Sequence, residues 1–207
     1  LVNWITMQLV APRPLPRLDF SKGIASGART LVVVPTLITS AQSVEALAEK
    51  LEVRFLANRD PGLQFALLTD FADAREAALP GDDALLRLAA RRIDELNLRH
   101  GAAFHLLHRP RLWNAGEGAW IGRERKRGKL EDLNALLRDG NREAFSRLAG
   151  PTTALAGVRY VITLDTDTEL PRDAARELVG AMAHPLNRPR HDPADGRVTD
   201  GYGILQP

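Results

Sequence analysis

Arg159-Tyr160-Val161-Ile162-Thr163-Leu164-Asp165-Thr166-Asp167-Thr168 is the stretch whose reading decides the fold. Its β-branched and aromatic residues suit a buried, pleated strand. The run ends at two carboxylates one residue apart. In extended backbone alternate side chains share a face, so Asp165 and Asp167 are expected to point the same way. Two acids so placed repel one another unless a cation or a shared proton lies between them. Pro171 follows, suited to the first turn of a helix, where its missing N–H costs nothing. Strand, acidic tip and helix predict an α/β sheet with its site at the carboxyl ends of the strands. The acidic pair reads as a divalent-metal and diphosphate site.

Outward from that stretch, Leu31-Val32-Val33-Val34-Pro35-Thr36 is a short β-branched strand. Thr39 with Gln42 predicts a capping box, and Val44, Leu47, Ala48, Leu51 and Phe55 recur at helical spacing behind it. Gln64–Thr69 reads as a second strand ending at Asp70, Asp83–His100 as a helix stopped by Gly101, and Ala103–Leu107 as a third strand. His105 and His108 have no partner at metal-ligand spacing and read as structural. Trp113 to Gly122 reads as a flexible, aromatic-bearing loop. It leads into Arg123-Glu124-Arg125-Lys126-Arg127-Gly128-Lys129, with five cations in seven positions. Basic groups at a turn before a helix are placed to hold phosphate oxygens, which the cluster as a whole favours, while for any single cation a solvated surface loop is the simpler reading. Leu130, Leu133, Ala135, Leu136 and Leu137 form that helix, and Ala174, Ala175, Leu178, Val179 and Met182 a later one. His184–Gly201 reads as a long mobile loop and Gly203–Pro207 as the start of a strand. The alternation predicts a mostly parallel sheet covered by helices on both faces.

A length of 207 residues, 44% of them hydrophobic and 26% charged, is that of one globular domain with a full core. A net charge of +2 is too small to argue for nucleic acid, and the flanking aromatics are too few for a stacking platform. The absence of cysteine excludes disulfides and zinc–thiolate sites. Residue 1 is Leu, which suggests a piece of a longer protein. Leu1–Ala11 is apolar but shorter than the about 20 residues that span a bilayer, and it lacks a basic leader. Residues 1–20, with their prolines and Trp4, read as a juxtamembrane or interfacial linker, or as a linker packed back on the domain of residues 21–207.

Three readings are open for Asp165-Thr166-Asp167. One is a charged turn capping the next helix. A second is a haloacid-dehalogenase-type phosphatase, whose nucleophile motif also begins Asp-x-Asp but sits on the first strand, whereas three strands precede this one. The third is a nucleotide-sugar glycosyltransferase, in which two carboxylates hold Mg²⁺ or Mn²⁺ against a sugar diphosphate. Only the third uses the basic run and the acidic strand end together.

Val33-Val34-Pro35-Thr36, Leu67-Leu68-Thr69-Asp70, Lys129-x-x-x-Leu133-Asn134 and Leu164-Asp165-Thr166-Asp167 resemble, in that order, the GT-A pattern of processive inverting glycosyltransferases such as cellulose synthases. Leu15–Phe20, Trp120–Leu130 and Gly201–Pro207 are similar in wording to the glycosyltransferase domain of bacterial cyclic β-1,2-glucan synthases. The resemblance implies a Rossmann-like GT-A domain using UDP-glucose and Mg²⁺ or Mn²⁺ to extend a glucan chain. It implies a parent enzyme at the cytoplasmic face of the bacterial inner membrane, held there through flanking segments, with no nucleic-acid partner. By position, Pro35, Thr36 and Asp70 would contact the uridine. Lys129 and Asn134 would sit near the nucleotide, joined by Arg125 of the basic run. Asp165 and Asp167 would hold the diphosphate and its metal. The general base is expected downstream of Pro207, so the chain alone is expected to bind donor without polymerising it. A non-catalytic regulatory or nucleotide-binding domain of the same fold is the alternative.

Overall fold

The computed structural model describes residues 14–206. The apolar opening with Trp4, and Pro207, lie outside the described residues.

The β-branched run at Leu31–Val34 builds β1 (Thr30–Ile38), fully buried through Val34. It pairs in parallel with β2 (Leu63–Phe71) on one side and β7 (Tyr160–Thr163) on the other. β3 (Phe104–His108) extends the parallel set beyond β2. A short antiparallel strand, β6 (Arg147–Ala149), borders β3 and gives the order β6-β3-β2-β1-β7. Pro35 is tolerated inside β1 for a geometric reason. Val33 turns its carbonyl toward β7, where the Leu164 N–H reaches it at 3.0 Å. Pro35, two residues on, faces the same side beyond the last β7 pair, so its missing N–H breaks no ladder bond.

Strand alternation divides the core between two faces. Val32, Val34 and Ile38 join the cluster formed with α1 (Ala41–Ala57), α2 (Asp82–His100) and α4 (Ala174–Ala183). Leu31 and Val33 meet Leu133 and Leu136 of α3 (Arg125–Asp139) on the opposite face. The expected architecture, a mostly parallel sheet flanked by helices on both faces, is the one found. Leu18 donates its N–H to the Gly180 carbonyl at 3.0 Å, and Asn187 its amide to Pro16 at 2.7 Å, so residues 16–18 run along α4. Among the described residues no helix is long and apolar enough to cross a membrane.

Several local expectations are corrected. The strand at Tyr160–Thr163 is a half-exposed edge of the described sheet, with Val161 36% exposed, because no strand covers its outer side there. Pro171 precedes the helix, which starts at Ala174 after Asp173 in a left-handed conformation. The capping box is formed by Ser40 and Ser43, one residue later than Thr39 and Gln42. Trp113–Gly122 is mostly a hairpin, β4 (Leu112–Asn114) and β5 (Ala119–Ile121), with Trp113 opposite Trp120. The 184–201 region holds a 3₁₀ turn (Pro185–Asn187) and a second hairpin, β8 (Arg190–Asp192) with β9 (Arg197–Asp200). Residues 203–206 form no strand.

Candidate functional site

The chain runs β1, β2, β3 in one direction and then returns to place β7 on the far side of β1. Such a reversal leaves a crevice at the carboxyl ends of the strands, where open α/β sheets bind ligands. A cleft of about 240 Å³ lies at the carboxyl ends of β1 and β2, against the start of α3, with no residue of β7 among those lining it. Pro35 and Thr36 from β1, Asp70 from β2, and Arg125 and Lys129 from α3 all line it, so five of the sequence-derived candidates meet at one place. Lys126 lines it too. Asn134 is exposed on α3 and is not among the lining residues.

The floor is a closed ion network. Asp70 is 2% exposed and receives Arg109 in a bidentate pair, Nε to Oδ1 at 2.9 Å and Nη2 to Oδ2 at 2.8 Å. Arg109 also donates to Asp132 at 2.6 Å and to the carbonyls of Arg123 and Arg125 at 3.1 and 3.2 Å. Burial opposes its charge, yet Asp70 and Asp132 more than offset this and raise its pKa. Lys129, also buried, donates to the Thr36 carbonyl and lies 3.4 Å from Asp70 Oδ2. Burial lowers its pKa despite Asp70. Two glycines let this floor close. An added Cβ at Gly122 would lie 2.1 Å from Asp70 Oδ2, and one at Gly128 would lie 2.1 Å from the Arg123 carbonyl. Asp70 is therefore spent on Arg109 and Lys129, and Lys129 on Asp70 and the Thr36 carbonyl, forming the floor of the cleft.

The basic run is placed differently from its expected position before a helix. Arg125, Lys126 and Arg127 form the first turn of α3 itself, entered through Glu124 and Arg125 at φ 50° and 48°. Non-glycine residues in this region carry strain of about 1–2 kcal/mol each. The Arg109 bonds to the carbonyls on either side of Glu124 hold the corner. Arg125 is shared between Asp73 at 2.7 Å and Glu117 at 2.6 Å, while Arg127 pairs with Glu131 at 3.0 Å.

The acidic tip is a turn rather than extended chain, closed by the Thr168 N–H on the Asp165 carbonyl at 3.1 Å. Both carboxylates are exposed. Arg54, only 5% exposed, collects the backbone of this turn. It donates to the carbonyls of Asp165 at 3.3 Å, Thr166 at 3.0 Å and Thr168 at 2.8 Å. Burial lowers its pKa, opposed by Asp167 and Glu169. Lys126 of α3 pairs with Asp165 Oδ1 and so joins the acidic turn to the cleft. Neither Asp165 nor Asp167 is among the cleft's lining residues; among the described residues the acidic turn meets the cleft only through Lys126.

Among the described residues no group of three or more His, Asp or Glu could hold a metal, so these residues offer no cage. Asp165 and Asp167 are two exposed carboxylates on one turn, and carboxylate oxygen is the kind of ligand a small divalent ion takes alongside phosphate and water. That Asp165 already receives an ammonium group marks it as a place for positive charge.

His105 and His108 are the structural groups expected of them, fully buried and bonded to Gln64 Oε1 and Thr69 Oγ1, each at 2.8 Å. Arg54, Arg109 and Asp132 were not legible as site residues from spacing. The available signal was position: Arg54 falls on the apolar stripe of α1, and Arg109 directly follows the buried β3.

Fold and cleft together define an α/β protein of Rossmann-like kind with a charged crevice at its strand tips. No family model matches the chain. Over 211 residues it is 46% identical to the cyclic beta-(1,2)-glucan synthase NdvB of Rhizobium meliloti (strain 1021), a match covering 100% of this chain. The chain spans 7% of the length of that curated relative.

Proposed function

We propose that the chain is the donor-binding part of a metal-dependent inverting glycosyltransferase that uses UDP-glucose to build a β-1,2-glucan. The observation that carries this reading is the meeting of the acidic turn and the basic start of α3 beside the tips of β1 and β2, at Lys126 and Asp165. A basic cleft tied through Lys126 to an acidic turn suits a sugar diphosphate with its cation, and the identity to a glucan synthase supports the same assignment. Pro35 and Thr36 would border the nucleoside, over the Asp70–Arg109–Lys129 floor. Asp165 and Asp167 would hold Mg²⁺ or Mn²⁺. A divalent cation held there would offset the charge of the departing nucleoside diphosphate. No residue is assigned as general base. In this reading the growing glucan is the acceptor, and the working site is the cytoplasmic face of the bacterial inner membrane.

Calorimetric titration of UDP-glucose tests the proposal. Binding that requires Mn²⁺ or Mg²⁺ is expected; a folded sample showing none counts against it. Asp167→Asn should abolish the metal dependence and leave the protein folded with only a small change in melting temperature, because the carboxylate is exposed and acts on Arg54 only through its charge. Equal affinity in the variant would remove Asp167 from the site.

A further inference from the structure

The cations at the cleft differ in how firmly they are held. Lys129 is buried between the Thr36 carbonyl and Asp70. Arg125 is fixed by two carboxylates at once. Lys126 has one partner among the described residues, the Asp165 carboxylate, and the two side chains are 53% and 60% exposed. This contact is also the one hydrogen bond or ion pair among the described residues that joins α3 to the acidic turn. Water competes well for exposed pairs, so such a contact exchanges at little cost. Lysine suits exchange, being a compact charge on a flexible four-carbon stem with freely turning donors.

On the reading of the cleft given above, we propose that Lys126 is an exchangeable cation of the donor site. It neutralises Asp165 when no ligand is present. It passes to the phosphate oxygens of a nucleoside diphosphate when a divalent ion takes its place on that carboxylate. Metal alone must displace the ammonium into water; metal with diphosphate gives it a new anionic partner. The two ligands therefore strengthen one another, and by linkage the factor is the same in both directions. Lys126, rather than the buried Lys129, becomes the lysine that meets the phosphates. Arg127, one residue on, is 79% exposed and pairs with Glu131 outside the cleft lining. It serves as the charge-matched control.

The test is calorimetric titration of Mn²⁺ into the wild-type protein, Lys126→Ala and Arg127→Ala, each with and without saturating UDP. Without UDP, Lys126→Ala should bind Mn²⁺ about two- to fivefold more tightly, since a weak competitor is gone. UDP should then improve its Mn²⁺ affinity by a smaller factor than in the wild type, while Arg127→Ala matches the wild type. The inference is overturned if Lys126→Ala leaves both quantities unchanged, or if Arg127→Ala reproduces its effects and net charge alone explains them. A wild-type protein that binds UDP without any metal dependence overturns the reading of the cleft and this inference with it. A metal-dependent wild type with an unaltered Lys126→Ala sinks only the role of Lys126.

Discussion

Arg54 occupies a position where the buried stripe of α1 calls for a hydrophobe, among Val44, Leu47, Leu51 and Phe55. Helical spacing makes that position legible, but not the use made of it: the partners are carbonyls over a hundred residues away. Replacing Arg54 by Met should cost about 1–3 kcal/mol, the range for stranding buried hydrogen-bond partners. It should also weaken Mn²⁺-dependent UDP binding, because the turn carrying Asp165 and Asp167 loses its anchor. Thermal melts and titration below the melting range check both. Undiminished nucleotide affinity would show that the turn keeps its shape unaided. Asp70 teaches the converse lesson. Its place at a strand end was readable, whereas its engagement by Arg109 depended on β2 and β3 being neighbours.

At the scale of elements, the main strands and helices followed from composition and period, and their ends and small partners did not. Thr39-x-x-Gln42 fits the capping-box pattern, yet the helix is capped by Ser40, with a serine in the third helical position where the pattern has Glu or Gln. Ser40 Oγ receives the Ser43 N–H at 3.0 Å, and Ser43 Oγ receives the N–H groups of both Ser40 and Thr39. Ser40→Ala should therefore lower stability by about 1 kcal/mol. Gln42→Ala should stay within about 0.5 kcal/mol. Chemical denaturation of the two variants separates the assignments. The β4–β5 hairpin was hidden because glycines at 116 and 118 read as flexibility. The Trp113–Trp120 pairing, with ring centroids 5.9 Å apart, is visible only once the register is known. β7 misled in the opposite way: Val161 and Ile162 suit a covered strand, but their neighbours decide exposure.

Across the whole molecule, two fully buried imidazoles make stability depend on pH. Burial pushes both His105 and His108 down to about 4 from an ordinary 6.5. Their folded pKa lies below the unfolded value, so the contribution is complete above about 6.5 and is lost as pH falls toward 4. The first unit below 6.5 should remove about 1 kcal/mol per histidine. A His105→Gln, His108→Gln double variant should show a flatter melting-temperature profile over that window; parallel profiles would contradict the assignment. The five-stranded order was legible only as a class, since alternation implies parallel pairing without saying on which side of β1 the chain returns. The cleft itself is built from the tips of β1 and β2 and the start of α3. Arg109, meanwhile, spans the end of β3, the tip of β2 and the first turn of α3 with one guanidinium. Helix starts commonly fray by themselves, but loosening this one also breaks the Arg109 bonds that tie it to the strand tips. The amide protons of Leu130, Thr69 and Asp70 should accordingly exchange with deuterium through a single shared opening, with matching protection.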